Sequence, residues 1–134
     1  MLPMPAAELF GAWAVAEAVV AASGAPVDRV IAVGDCEPAA LALDAGCSGA
    51  REMGALLRRA RRGLTGQWLG VAVPREANRD ADRLSHPSRL GEVRRGLRRS
   101  GWRSRVARVP AGCWAALREA VGLAADGGAA GGRA

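Results

Sequence analysis

The chain has 134 residues, of which half are hydrophobic and 24 % are charged, and its net charge is +6. These values exclude a large multidomain protein and a chain disordered throughout, because the apolar fraction suffices for one small core. All 19 basic residues are Arg and none is Lys. A GC-rich coding sequence also produces such a bias, so the charge speaks more clearly than its Arg-only make-up. A positive balance on so short a chain favours a polyanionic partner.

Three cysteines, Cys36, Cys47 and Cys113, leave one unpaired in any disulfide scheme and form no C-x-x-C pair. They read as buried free thiols in a reducing compartment. The lone histidine, His86, cannot build a His-rich zinc site. The apolar stretch from Leu9 to Val27 lacks a basic leader, is broken by Glu8 and Glu17, and is mostly Ala. It is expected to be a soluble helix, with no signal peptide, no membrane segment and a cytoplasmic or nuclear location.

In chain order, Pro3 and Pro5 precede an Ala-rich helix over 6–23 that ends at Ser23-Gly24. Leu9, Trp13, Ala16 and Val20 form its apolar stripe. Residues 27–33 read as a strand, apolar on both faces like one inside a covered sheet. A short helix over 37–45 stops at Gly46. A helix over 50–62 has Met53, Leu56, Leu57 and Ala60 on one face and arginines on the rest. Residues 67–73 form a second strand ended by Pro74, and 78–85 a short helix before Pro87. A helix over 88–99 carries Leu90, Val93 and Leu97 inward. Residues 102–109 read as a third strand, and 113–121 as a last helix anchored by Trp114 and Leu117. The fold class is α/β, with helices packed on a small sheet. The expected organisation is a main unit over 5–87, a basic helix-strand-helix extension over 88–124, and a disordered Gly/Ala tail over 125–134.

Three carboxylates come from separate elements: Glu8 early in the first helix, Asp35 just after the first strand, and Asp82 on the short helix after the second. Ligand sites in α/β sheets gather at the carboxyl ends of strands. A carboxylate cluster there needs a hard cation such as Mg²⁺ or Mn²⁺. Each carboxylate taken singly also reads as a cap or a solvated surface charge.

Four segments then bear on family. Ala7-Glu8-Leu9, followed by Ala16-Glu17-Ala18, resembles the first helix of ribonuclease H domains. The nine-residue step puts Glu17 on the opposite face from Glu8, so Glu17 is expected at the surface. Val33-Gly34-Asp35-Cys36-Glu37-Pro38-Ala39-Ala40 resembles the strand and helix start that carry the next metal-binding Asp. Asp44 to Ser48, then Met53 to Arg59, is similar to the intervening segment of retroelement forms. Val73 to Ser85 is the sharpest match. It resembles the V-P-x-x-x-N-x-x-A-D-x-L-S ending of ribonuclease H domains in reverse-transcriptase retroelement polyproteins. The resemblance covers roughly three fifths of the chain, Pro5 to Pro87.

The resemblance implies a ribonuclease H-like mixed sheet with flanking helices and a metal-dependent endonuclease. Two Mg²⁺ or Mn²⁺ ions about 4 Å apart would promote hydrolysis of the RNA strand of an RNA–DNA hybrid. It assigns Glu8, Asp35 and Asp82 as metal ligands and catalytic residues. Asp80 competes for the last role but points about 160° away on a helix. No small-molecule cofactor and no membrane partner are implied, and the oligomeric state is open. The family sheet opens with three antiparallel strands, the first bearing another catalytic Asp. Only seven residues precede Glu8, so the domain is expected to be N-terminally truncated, with an open edge at Val30–Val33 and weak or absent activity. A family loop His is also missing, with Arg75 and Glu76 in that stretch; His86 is expected at the surface or as a cap.

Between Arg58 and Arg108 lie fifteen arginines and four acidic residues. Arg58, Arg62, Arg75, Arg79, Arg98, Arg99 and Arg103, with Trp102 among them, are candidate nucleic-acid contacts. Arginines can hold a phosphate backbone while an aromatic ring stacks on a base. This supports a second reading, a non-catalytic Arg-rich nucleic-acid-binding remnant. It competes with the simpler one of a solvated arginine face with Trp102 in the core.

Overall fold

The computed structural model describes residues 2–63 and 67–131. It is mixed α/β, with a two-stranded parallel sheet among the described residues. The elements are α1 (Met4–Ser23), β1 (Arg29–Gly34), α2 (Glu37–Ala45), α3 (Arg51–Gly63), β2 (Gln67–Ala72), α4 (Arg79–Leu84), α5 (Leu90–Arg99) and α6 (Ala111–Gly131). Short 3₁₀ turns at Arg75–Asn78 and Pro87–Arg89 lead into α4 and α5.

Parallel strands need a long crossover, and α2 and α3 supply it. The register sets Arg29 opposite Gln67 and Gly34 opposite Ala72 with no bulge. The helix α2 stops at Gly46, whose φ of 71° is left-handed and whose amide donates to the Ala42 carbonyl. It lies so close on β2 that a Cβ at Gly70 would collide with the Ala40 backbone.

The core is helical. Leu9 and Trp13 of α1, Leu43 of α2, and Met53, Leu56, Leu57 and Ala60 of α3 are buried together with Cys113, Ala116 and Ala120 of α6. Burying each large apolar side chain contributes about 1.5–3 kcal/mol. Arg59 of α3 and Glu119 of α6 form an exposed ion pair at 3.3 Å over this contact. The helix α1 is long and apolar enough to cross a membrane. Here it presents Ala6, Leu9, Trp13, Ala14 and Ala18 to the core.

Several expectations are corrected. The sheet is covered on one face only: Ile31, Val33 and Val71 on the other are exposed. Residues 102–109 form no strand. All but Val109 are exposed, so neither face has a core to join and water satisfies the backbone. The extension is therefore helix-loop-helix. The last helix starts earlier and runs through Gly131, because its Ala content sustains helix beyond Val121. Residues 125–131 of the expected disordered tail are thus helical, and 132–134 lie outside the described residues. The buried stripe of α6 is Cys113, Ala116 and Ala120, while Trp114 is largely exposed and leans on Phe10 with ring centroids 5.8 Å apart. Of the free cysteines only Cys113 is buried; Cys36 is half-buried and Cys47 exposed.

Candidate functional site

The carboxyl end of the sheet brings two of the sequence motifs together. Asp35 follows β1 directly, and Val73-Pro74-Arg75 follows β2. The Val73 amide donates to the Gly34 carbonyl at 2.8 Å, which keeps the two chain exits side by side. Pro74 then ends strand pairing and starts the 3₁₀ turn at Arg75. As a result Arg75 Nε lies 3.5 Å from Asp35 Oδ2. The Asp35 side chain is 22 % exposed, whereas Arg75 is largely in water.

The other two carboxylates stand apart in character. Glu8 is exposed on α1 and Asp82 is exposed on α4, as is Asp80. Among the described residues, no three His, Cys, Asp or Glu side chains are grouped closely enough to hold a metal ion. The donor set also lacks a built frame, since no side chain donates a hydrogen bond to the Glu8 or Asp82 carboxylate among the described residues; Ser85 Oγ donates to the Asp82 carbonyl instead. In this arrangement Glu8, Asp35 and Asp82 are not gathered into one group. Asp35 alone is tied in place, and its partner is a guanidinium.

Glu17 departs from its surface expectation. It is half-buried, and its Oε1 accepts a hydrogen bond from Trp13 Nε1 at 3.1 Å. That bond satisfies an indole donor that would otherwise be buried unpaired. His86 is exposed and precedes the Pro87–Arg89 turn as its N-cap residue, and its carbonyl accepts from the Arg89 amide at 2.9 Å. Its side chain makes no cap hydrogen bond, so of the two expectations for His86 the placement fits the surface one.

The basic residues are arranged more openly. Arg58 and Arg62 are exposed on α3, Arg79 on α4, and Arg98 and Arg99 at the end of α5. Arg58 also borders an open depression lined by Ser48, Ala50, Arg51 and Gly54. Gly101, with φ of 83°, turns the chain after α5 into the exposed segment that carries Trp102 and Arg103. Arg94 Nε donates to Ser104 Oγ at 3.2 Å and ties that segment back to α5. Trp102 is 68 % exposed, so it is not a core residue.

Sequence reasoning missed the Asp35–Arg75 contact, although both residues lie in segments it had singled out. The signal was available in the parallel strand order, which puts residues just after two neighbouring strands at the same edge. Comparison with known protein families, with curated proteins and with solved structures returns no match.

Proposed function

We propose that this chain is a ribonuclease H-like domain of reverse-transcriptase retroelement origin, a metal-dependent endonuclease of weak activity toward the RNA strand of RNA–DNA hybrids. One observation carries the reading. Asp35 and the V-P-x-x-x-N-x-x-A-D-x-L-S segment, singled out separately in sequence, meet at the carboxyl end of a parallel strand pair through the 3.5 Å Asp35–Arg75 contact. Mg²⁺ or Mn²⁺ is the cofactor this reading calls for, with Glu8, Asp35 and Asp82 as its ligands. A divalent ion there would supply charge neutralisation for phosphodiester hydrolysis. The chain's own contribution is to hold Asp35 at the sheet edge with Arg75 beside it, and to present the exposed Arg75 and Arg79 to substrate phosphates. The weakness follows from the exposed and ungathered Glu8 and Asp82. The compartment proposed is cytoplasmic or nuclear.

The test is incubation of the purified chain with a labelled hybrid and Mg²⁺ or Mn²⁺. Slow cleavage of the RNA strand above the protein-free background is expected, and it should vanish in the Asp35→Asn, Asp82→Asn double variant. Cleavage that survives both substitutions rejects the site, and no cleavage with either ion rejects the hydrolytic reading.

A second reading is favoured by the exposed Trp102 among Arg98, Arg99 and Arg103. It is a non-catalytic nucleic-acid-binding remnant that grips phosphates with arginine and stacks a base on the indole. It expects metal-independent binding of single strands or hybrids that weakens steeply with salt. Binding unchanged between low and high salt would sink it.

A further inference from the structure

The outer edge of β1 is an unguarded pairing template. The amides of Gln67 and Val73 donate to the carbonyls of Asp28 and Gly34, each at 2.8 Å. Backbone groups alternate sides along a strand, so the even-numbered residues of β1 direct theirs toward β2. Those of Arg29, Ile31 and Val33 point to the opposite edge. No backbone or side-chain partner meets them there among the described residues. Natural edges are commonly guarded by proline, a bulge or a central charge. This strand has none, and its one charged residue, Arg29, sits at its start. The same residues line the uncovered face of the sheet, where Ile31 is 56 % and Val33 54 % exposed.

We propose that a second copy of this chain pairs with that edge in antiparallel fashion, forming a four-stranded sheet about a two-fold axis at Ala32. Such an axis makes the interface self-complementary. Antiparallel pairing must set outward-facing residues against one another, so odd-numbered positions meet odd-numbered positions. Centred on Ile31, the pairing would set Arg29 against the second copy's Val33. Centred on Val33, it would set Ile31 against the second copy's Asp35. Both place a charge against an apolar side chain. Centred on Ala32, it sets Arg29 against the second copy's Asp35 and Ile31 against the second copy's Val33, and symmetry repeats both pairs. Charge complementarity therefore selects one register. To meet this demand Asp35 exchanges its 3.5 Å contact with the exposed Arg75 for the second copy's Arg29. The uncovered apolar faces of the two sheets then join into one continuous stripe through Leu69 and Val71. This inference does not depend on the nuclease reading.

Sedimentation velocity of the full chain over a concentration series tests it, with Arg29→Asp, Asp35→Arg and the charge-swapped double variant alongside. A reversible dimer is expected. Each single reversal should weaken it roughly tenfold, and the double should return to within about threefold of the parent, from cross-strand pair energies counted twice by symmetry. Hydrogen exchange supplies a second readout. The amides of Ile31 and Val33 should slow as the dimer fills, while those of Val30 and Ala32 should not change. Ile31→Lys, at an exposed position, should abolish the dimer with no shift in the unfolding midpoint at concentrations where the parent chain is monomeric. A monomer at every concentration overturns the proposal. So does a dimer indifferent to the charge reversals, or one that the double variant fails to restore.

Discussion

Residues 4–60 together with α6 build the core, and residues 73–110 contribute almost nothing to it. The first set holds all but one of the buried hydrophobic residues described, and the second holds only Val93. The second set nevertheless carries most of the arginines, the A-D-x-L-S motif and the exposed Trp102. Burial and chemistry are thus divided between stretches of chain. Substitutions of the buried residues in the first should act on stability, and those of the exposed residues in the second on what the surface can bind.

The largest effect is expected at Leu56, which is 1 % exposed between α1 and α6. Leu56→Ala should lower the unfolding free energy by about 2–5 kcal/mol, read from urea unfolding by circular dichroism. A loss under that range would mean that the helical core is looser than its contacts indicate. Next is Gly70→Ala. The added methyl meets the Ala40 backbone rather than a flexible side chain, so α2 must lift from β2. A cost of about 1–3 kcal/mol is expected from overpacking, and full stability of the variant would refute the close approach of α2.

Trp102→Ala inverts the pattern. Unfolding should move by no more than about 0.5 kcal/mol, as for other exposed sites. Affinity for a fluorescent single-stranded oligonucleotide should fall by about 1–3 kcal/mol, the worth of one stacked base. A large stability loss with no change in binding would erase the distinction between the two stretches.

The smallest effect concerns Cys113. Burial, with the Glu17 carboxylate adding to it, raises its thiol pKa above the ordinary 9.0. The unfolded chain therefore releases this proton first as pH rises. The group's contribution to stability is constant below about pH 9, then declines until the folded thiol also ionises. Cys113→Ala should flatten that alkaline decline. Thiol labelling of the native chain should reach exposed Cys47 well before Cys113.

Much of the packed stretch was legible in sequence because local signals agreed with each other there. Gly46 ends α2, Met53, Leu56, Leu57 and Ala60 form the buried face of α3, and Pro74 closes β2, as their chemistry requires. The coverage of the sheet was not legible. A run such as Val30-Ile31-Ala32-Val33 reads as covered on both faces, but what lies over a face depends on partners distant in the chain. The segment after Gly101 misled for a related reason. Alternation gives a strand-like pattern, and a strand also needs an edge to pair with. At the candidate site, the motifs identified the carboxylates, and strand order brought Asp35 to Arg75. Whether three side chains gather depends on the tertiary setting of α1 and α4, which residue spacing does not encode.

The central claim is that Asp35 and Asp82 serve one hydrolytic site. The direct measurement is the rate of RNA-strand cleavage in a hybrid, with Mn²⁺, by the parent chain, Asp35→Asn, Asp82→Asn and the double variant. Groups acting as a unit are strongly non-additive. The account predicts that each single substitution removes as much activity as the pair does. Losses that simply multiply, or activity that persists in the double variant, would contradict it.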